Sequence, residues 1–150
     1  MDITVVKSAD GDGGKHRCVA VREDGAVVQF TVHPGTPPHD LCHYALERHF
    51  GVRFGFWGLL AAGASFEAVQ RFGARDPRSV DVEPDPVIAA HVDELLAAEA
   101  LVNDFTGHGG APSDEMSADD VAAARAAVSD IAREWAAVEP GGKLQLVWET

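Results

Sequence analysis

The run His16-Arg17-Cys18-Val19-Ala20-Val21-Arg22-Glu23-Asp24-Gly25-Ala26-Val27-Val28-Gln29-Phe30-Thr31-Val32-His33 decides the fold, together with the segment Thr36-Pro37-Pro38-His39-Asp40-Leu41-Cys42-His43 that follows it. Residues 16–22 and 26–33 are rich in β-branched side chains and predict two strands. Asp24-Gly25 between them is a two-residue hairpin signal, because both central positions of such a turn take positive φ. Towards the N-terminus, Ile3-Thr4-Val5-Val6 predicts a third strand over residues 2–7, joined to the hairpin through the flexible Gly11–Gly14 stretch. The three strands make an antiparallel meander.

After His33 the pattern changes period. Thr36 can cap free amides and Pro37 suits a first helical position, which predicts a helix over 37–50 stopped by Gly51. Phe54, Phe56, Trp57, Leu59 and Leu60 lie between glycines and predict a short second helix packed on the first. Residues 76–86, with three prolines and many charges, read as a surface linker. From 86 to 105, Ile88, Val92, Leu95, Glu99 and Val102 share one helical face, so a carboxylate sits within an apolar stripe. Gly107-His108-Gly109-Gly110 ends that helix, and Ser117 with Asp120 reads as a capping box for a last one, whose buried face runs from Val121 to Val138. Leu144-Gln145-Leu146-Val147-Trp148 predicts a final strand returning to the sheet. The expected architecture is a single α+β domain over residues 1–150. It has an antiparallel sheet of about four strands, three N-terminal and one C-terminal, with about four helices packed mainly on one face.

Composition narrows the function classes. The net charge is −12, from 24 acidic against 12 basic residues, and would repel a phosphate backbone, so nucleic acid is not an expected partner. Residues 1–7 lack the basic start and apolar run of a signal peptide, and no stretch reaches the roughly 18 apolar residues of a membrane span. A cytoplasmic location without membrane attachment is expected. Cys18 and Cys42 form no metal-type pair and read as buried thiols.

The helix over 37–50 carries the distinctive chemistry. With about 100° per residue and His39 at zero, His43 falls near 40°, Glu47 near 80° and Asp40 near 100°. Imidazoles at i and i+4 can reach one metal ion, as in the His-Glu-x-x-His helix of zinc proteases, where the Glu is the general base. Asp40 stands where that Glu would be and is one methylene shorter, so only the ligand spacing carries over. His39 and Glu47 are about 12 Å apart along the axis, too far for a three-ligand site on one straight helix. His39 and His43 are therefore the expected metal ligands. Asp40 or Glu47 would serve as catalytic base or orient an imidazole, and further ligands would come from His91 and Glu99 on the 86–105 helix. His33 and His108 are weaker candidates. At the helix N-terminus His39 should be neutral. Cys42, about 60° from His39 on the wheel, allows a Cys/His nucleophile in principle.

Pro38-His39-Asp40-Leu41-x-His43-x-x-x-Glu47, followed by Gly51, Gly55-Phe56-Trp57-Gly58 and Ala61-Ala62-Gly63-Ala64-Ser65-Phe66, resembles a family of small uncharacterised bacterial proteins common in actinobacteria. The resemblance covers residues 38–66 and a similar preceding meander. It implies that His39, Asp40, His43 and Glu47 form one recurrent unit with the Gly-Phe-Trp-Gly turn.

Two functions follow as expectations. In one, a divalent metal site, zinc suiting two imidazoles and a carboxylate, activates water for hydrolysis of a small-molecule substrate. In the other, the protein is a non-catalytic interaction or regulatory protein. The polar cluster is then structural, and an apolar patch around Phe54, Phe56 and Trp57 forms a homodimer.

Overall fold

Alternation along each strand sends one set of side chains to a covered face, and the four strands assemble in the order β3-β2-β1-β4, antiparallel throughout. The computed structural model describes residues 1–73, 85–107, 112 and 115–149. The strands are β1 (Asp2–Val6), β2 (Arg17–Val21), β3 (Val27–Thr31) and β4 (Lys143–Val147). Ile3, Val5, Cys18, Ala20 and Phe30 point inward and are buried. The C-terminal strand pairs with β1, closing the sheet as the sequence led one to expect. No described helix is long and apolar enough to cross a membrane.

The β2–β3 hairpin differs in its turn. Gly25 alone takes positive φ, at +83°, and no non-glycine residue does among those described. The Gly25 N–H donates to the Arg22 carbonyl and the Ala26 N–H to the Asp24 carboxylate. The loop is thus a three-residue connection with glycine in the left-handed position, not a two-residue one.

Among the described residues six α-helices cover one face: α1 (His39–Phe50), α2 (Phe56–Ala62), α3 (Phe66–Gly73), α4 (Pro86–Ala90), α5 (Val92–Thr106) and α6 (Ala118–Ala136). α1 starts two residues later than expected. Thr36 and Pro37 form a turn enclosed by a bridge between Gly35 and Pro38, and Pro38, with ψ 141°, is the N-cap. Residues 86–105 are not one helix: the chain breaks at His91, with φ −134° and ψ 28°. Asp85, at the end of the expected linker, caps α4 by accepting the Val87 N–H, while linker residues 76–84 lie outside the described residues, as does His108. Ser117 caps α6 through the Asp120 N–H. α3 has no counterpart in the sequence reading.

α1 lies at the seam of two apolar clusters. Leu41 and Tyr44 belong to the main core with the sheet, α2, Trp135 and Trp148, whereas Cys42 and Leu46 pack with Val102 of α5 and Ala124 of α6. Phe56 and Trp57 are core residues, 3% and 0% exposed, and the half-buried Phe54 stacks on His91. The apolar patch expected to mediate dimerisation is therefore used up in folding.

Candidate metal centre

The site starts from Glu47, a carboxylate with no exposed surface. Its Oε1 accepts the Phe56 N–H at 2.7 Å and its Oε2 the Trp57 N–H at 3.1 Å, so it satisfies the first amides of α2 from the side of α1. Oε1 also lies 2.9 Å from His43 Nδ1. Gly55 makes this approach possible, and Gly58 lets the turn from Arg53 close. A Cβ on Gly55 would collide with the Glu47 carboxyl carbon, and one on Gly58 with the Arg53 carbonyl oxygen.

With Nδ1 held by Glu47, His43 turns Nε2 outward, 3.5 Å from Glu99 Oε2 on α5. His39, one turn earlier, has its ring centroid 4.9 Å from that of His43. One ligand atom from each of His39, His43 and Glu99 lies within 4.8 Å of the other two. Atoms bound at about 2.0–2.2 Å to a tetrahedral ion are separated by roughly 3.3–3.6 Å, so the His43–Glu99 spacing already has the right size. The arrangement of carboxylate, imidazole and outward-facing nitrogen is the one by which an outer carboxylate fixes the tautomer and orientation of a ligating histidine.

The electrostatics fit a site that holds either a proton or a cation. Burial works to lower the His43 pKa, but the hydrogen bonds with Glu47 and Glu99 outweigh it and raise it to about 10. Burial raises Glu47, against the pull of His43 and the two amides. Both directions mean that the group retains a proton, which an ion binding Nε2 would have to displace. The His39 pKa is lowered, first by burial and then by His43. A neutral His39 agrees with the sequence expectation, although burial rather than the helix terminus heads its causes.

The remaining expected site residues separate. Asp40, nearly fully buried, does not join the donor group: its Oδ2 accepts the His33 N–H at 2.8 Å and its Oδ1 lies 2.9 Å from His33 Nδ1. Neither Asp40 nor Glu47 is therefore turned towards the donor atoms as a base; both orient a histidine. His91 also falls outside the group. The break between α4 and α5 takes it off the α5 face, where its ring stacks on Phe54 at 3.5 Å and its Nδ1 lies 3.3 Å from Glu94. Burial pushes the Cys42 thiol up to about 11, which leaves no thiolate nucleophile at neutral pH.

Sequence reasoning underrated His33. The Pro34–Pro38 connection folds β3 back against α1, and His33 then lines a cavity of about 180 Å³ with His39, His43, Glu99, Phe56, Val69 and Gln70. Its pKa is raised, chiefly by the hydrogen bond to Asp40, and its Nε2 meets the Gln70 amide at 3.2 Å. The signal available was a histidine at a strand end seven residues before Asp40, too common a pattern to single out. Set against protein-family models, curated proteins and solved structures, the chain matches none, and the functional reading rests on this geometry.

Proposed function

We propose that the protein is a mononuclear divalent-metal protein with His39, His43 and Glu99 as ligands, and that it hydrolyses a small molecule held in the 180 Å³ cavity. The observation that carries this reading is the convergence of three donors from two helices around a histidine whose other nitrogen is fixed by a buried carboxylate. Two imidazoles and a carboxylate suit zinc, and three protein ligands leave a further position open for water or substrate. When bound, the ion would supply Lewis-acid activation there. The chain's own groups do the rest. Glu47 orients His43, Phe56 and Val69 give the cavity apolar walls, and His33, held by Asp40, offers a polar contact to whatever occupies it.

The second reading is structural, and one observation favours it: Glu47 already ties α1 to the first amides of α2 without any ion. Metal analysis of untagged protein separates the two. About one equivalent of a divalent ion is expected in the wild type and little in the His39→Ala/His43→Ala double variant. Metal far below one equivalent in both samples would leave the structural reading standing alone. Hydrolysis is then tested by turnover of small ester, amide and phosphoester panels, present in the loaded wild type and absent from the double variant.

A further inference from the structure

The covered face of the sheet belongs to the core; the opposite face has no described helix on it. Exposed and less exposed residues alternate along β1, β2, β3 and β4, with the outward set on the open side. Among the described residues the exposed large apolar side chains are Val21, Val27 and Val147, at 37%, 54% and 49% exposure. All three stand on this face, and the strand registers put them in one row with Asp2 between Val21 and Val147. The row at the other end places Val6 between Arg17 and Lys143. Val19 and Thr4 are cross-strand neighbours in the row between. The strand residues of this face carry two cations, Arg17 and Lys143, at one end and Asp2 at the other, where Glu23 and Glu149 line the same concavity as Asp2, Val21 and Val147.

We infer that this face is the contact surface for a second copy of the chain, the two sheets packing face to face about a two-fold axis that runs across the strands. The charges choose both the partner and the axis. A two-fold axis along the strands would set Asp2 beside Asp2 of the second copy and Arg17 beside its Lys143, like charge against like. An axis across the strands reverses the rows, so that Asp2 of each copy lies over Val6 of the other, flanked by Arg17 and Lys143. Stacked sheets sit about 10 Å apart and neighbouring strands about 4.8 Å, distances that long basic side chains can span. The valine row then covers the aliphatic stems of Arg17 and Lys143 while their heads reach Asp2. The middle row meets its own image. The face measures roughly 17 by 19 Å, a footprint below the ~800 Å² per partner of a standard interface, so the dimer is reversible.

Sedimentation velocity of the full chain from about 5 to about 500 μM tests it, with thermal melting to show that each variant is folded. The wild type is expected to pass from monomer to dimer in this range. Asp2→Lys alone, or Arg17→Asp with Lys143→Asp, should weaken the dimer at least roughly tenfold, and the three changes combined should restore it. Val19→Lys, near the axis, should abolish dimerisation and serves if a charge variant does not fold. A wild type that stays monomeric throughout overturns the inference. So does a dimer that Val19→Lys leaves intact, or a combined variant no tighter than its parts.

Discussion

Glu47 and Glu99 approach His43 from opposite sides of its ring, and they differ in what else depends on them. Glu47 is wholly buried and serves two backbone amides as well as the imidazole; Glu99 retains about a fifth of its side-chain surface. Glu47→Ala would leave those donors without a partner in a dry site, a loss that in comparable buried pairs costs about 3–5 kcal/mol. Glu99→Ala should cost less than about 1 kcal/mol in metal-free protein, since partly exposed pairs contribute little. Denaturant unfolding of both variants checks the contrast, and equal destabilisation would contradict the roles given to the two residues. A second single residue, His16, sets a pH dependence. Its Nδ1 accepts the Ser8 N–H at 3.0 Å and its ring stands edge-on to Trp135, and burial lowers its pKa below the ordinary 6.5. The unfolded chain takes up a proton near pH 6.5 that the native ring resists, so the His16 contribution to stability is complete above that pH and declines as pH falls below it. His16→Asn should lower the unfolding free energy at pH 7 relative to that at pH 5, against the opposite contributions of His33 and His43, whose pKa values are raised. An unchanged pH slope would show that the native ring protonates freely.

Among elements, the strands were legible because period-two alternation is itself the record of one covered face, and β1 to β4 fall where Ile3, Cys18, Phe30 and Leu146 require. The helices were legible in face more than in extent. Glu99 stood out because a carboxylate in an apolar stripe needs a partner, and His43 is that partner. His91 misled because an angular count assumes an unbroken helix, and nothing in Ala89-Ala90-His91-Val92 announces the break. For Asp40 and Glu47 the wheel gave direction from the axis but not rotamer or distant partner, and both carboxylates are spent on neighbouring segments: β3's end and α2's start. The same limit hid the reason for Gly55. Because a Cβ there would press into the Glu47 carboxylate, Gly55→Ala should loosen the joint between α1 and α2 and shift the melting point in the same direction as Glu47→Ala. In the double variant the two losses should be clearly less than additive, since both act on one contact. Full additivity in a double-mutant cycle would mean that the glycine matters for some other reason.

In the whole molecule, the donor group lies where the sheet-side core and the α1/α5/α6 cluster meet, with two ligands on α1 and the third on α5. An ion held there would join segments 56 residues apart in sequence, from His43 to Glu99, and could do so only once both clusters have formed. Binding of the proposed ion would thus be linked to global folding rather than to a local loop. Linkage fixes the size of the effect: a ligand at a hundredfold excess over its dissociation constant, bound by the native state alone, adds about 2.7 kcal/mol. For a chain of this length that is roughly 5–10 °C in melting temperature. Chelator-treated wild type titrated with zinc should show that rise. His39→Ala/His43→Ala should show none, and Glu99→Ala a reduced one, because two imidazoles can still hold the ion without bridging the helices. A rise of equal size in the double variant would place the ion elsewhere on this acidic surface, and a flat response in the wild type would leave the seam held by Glu47 and packing alone.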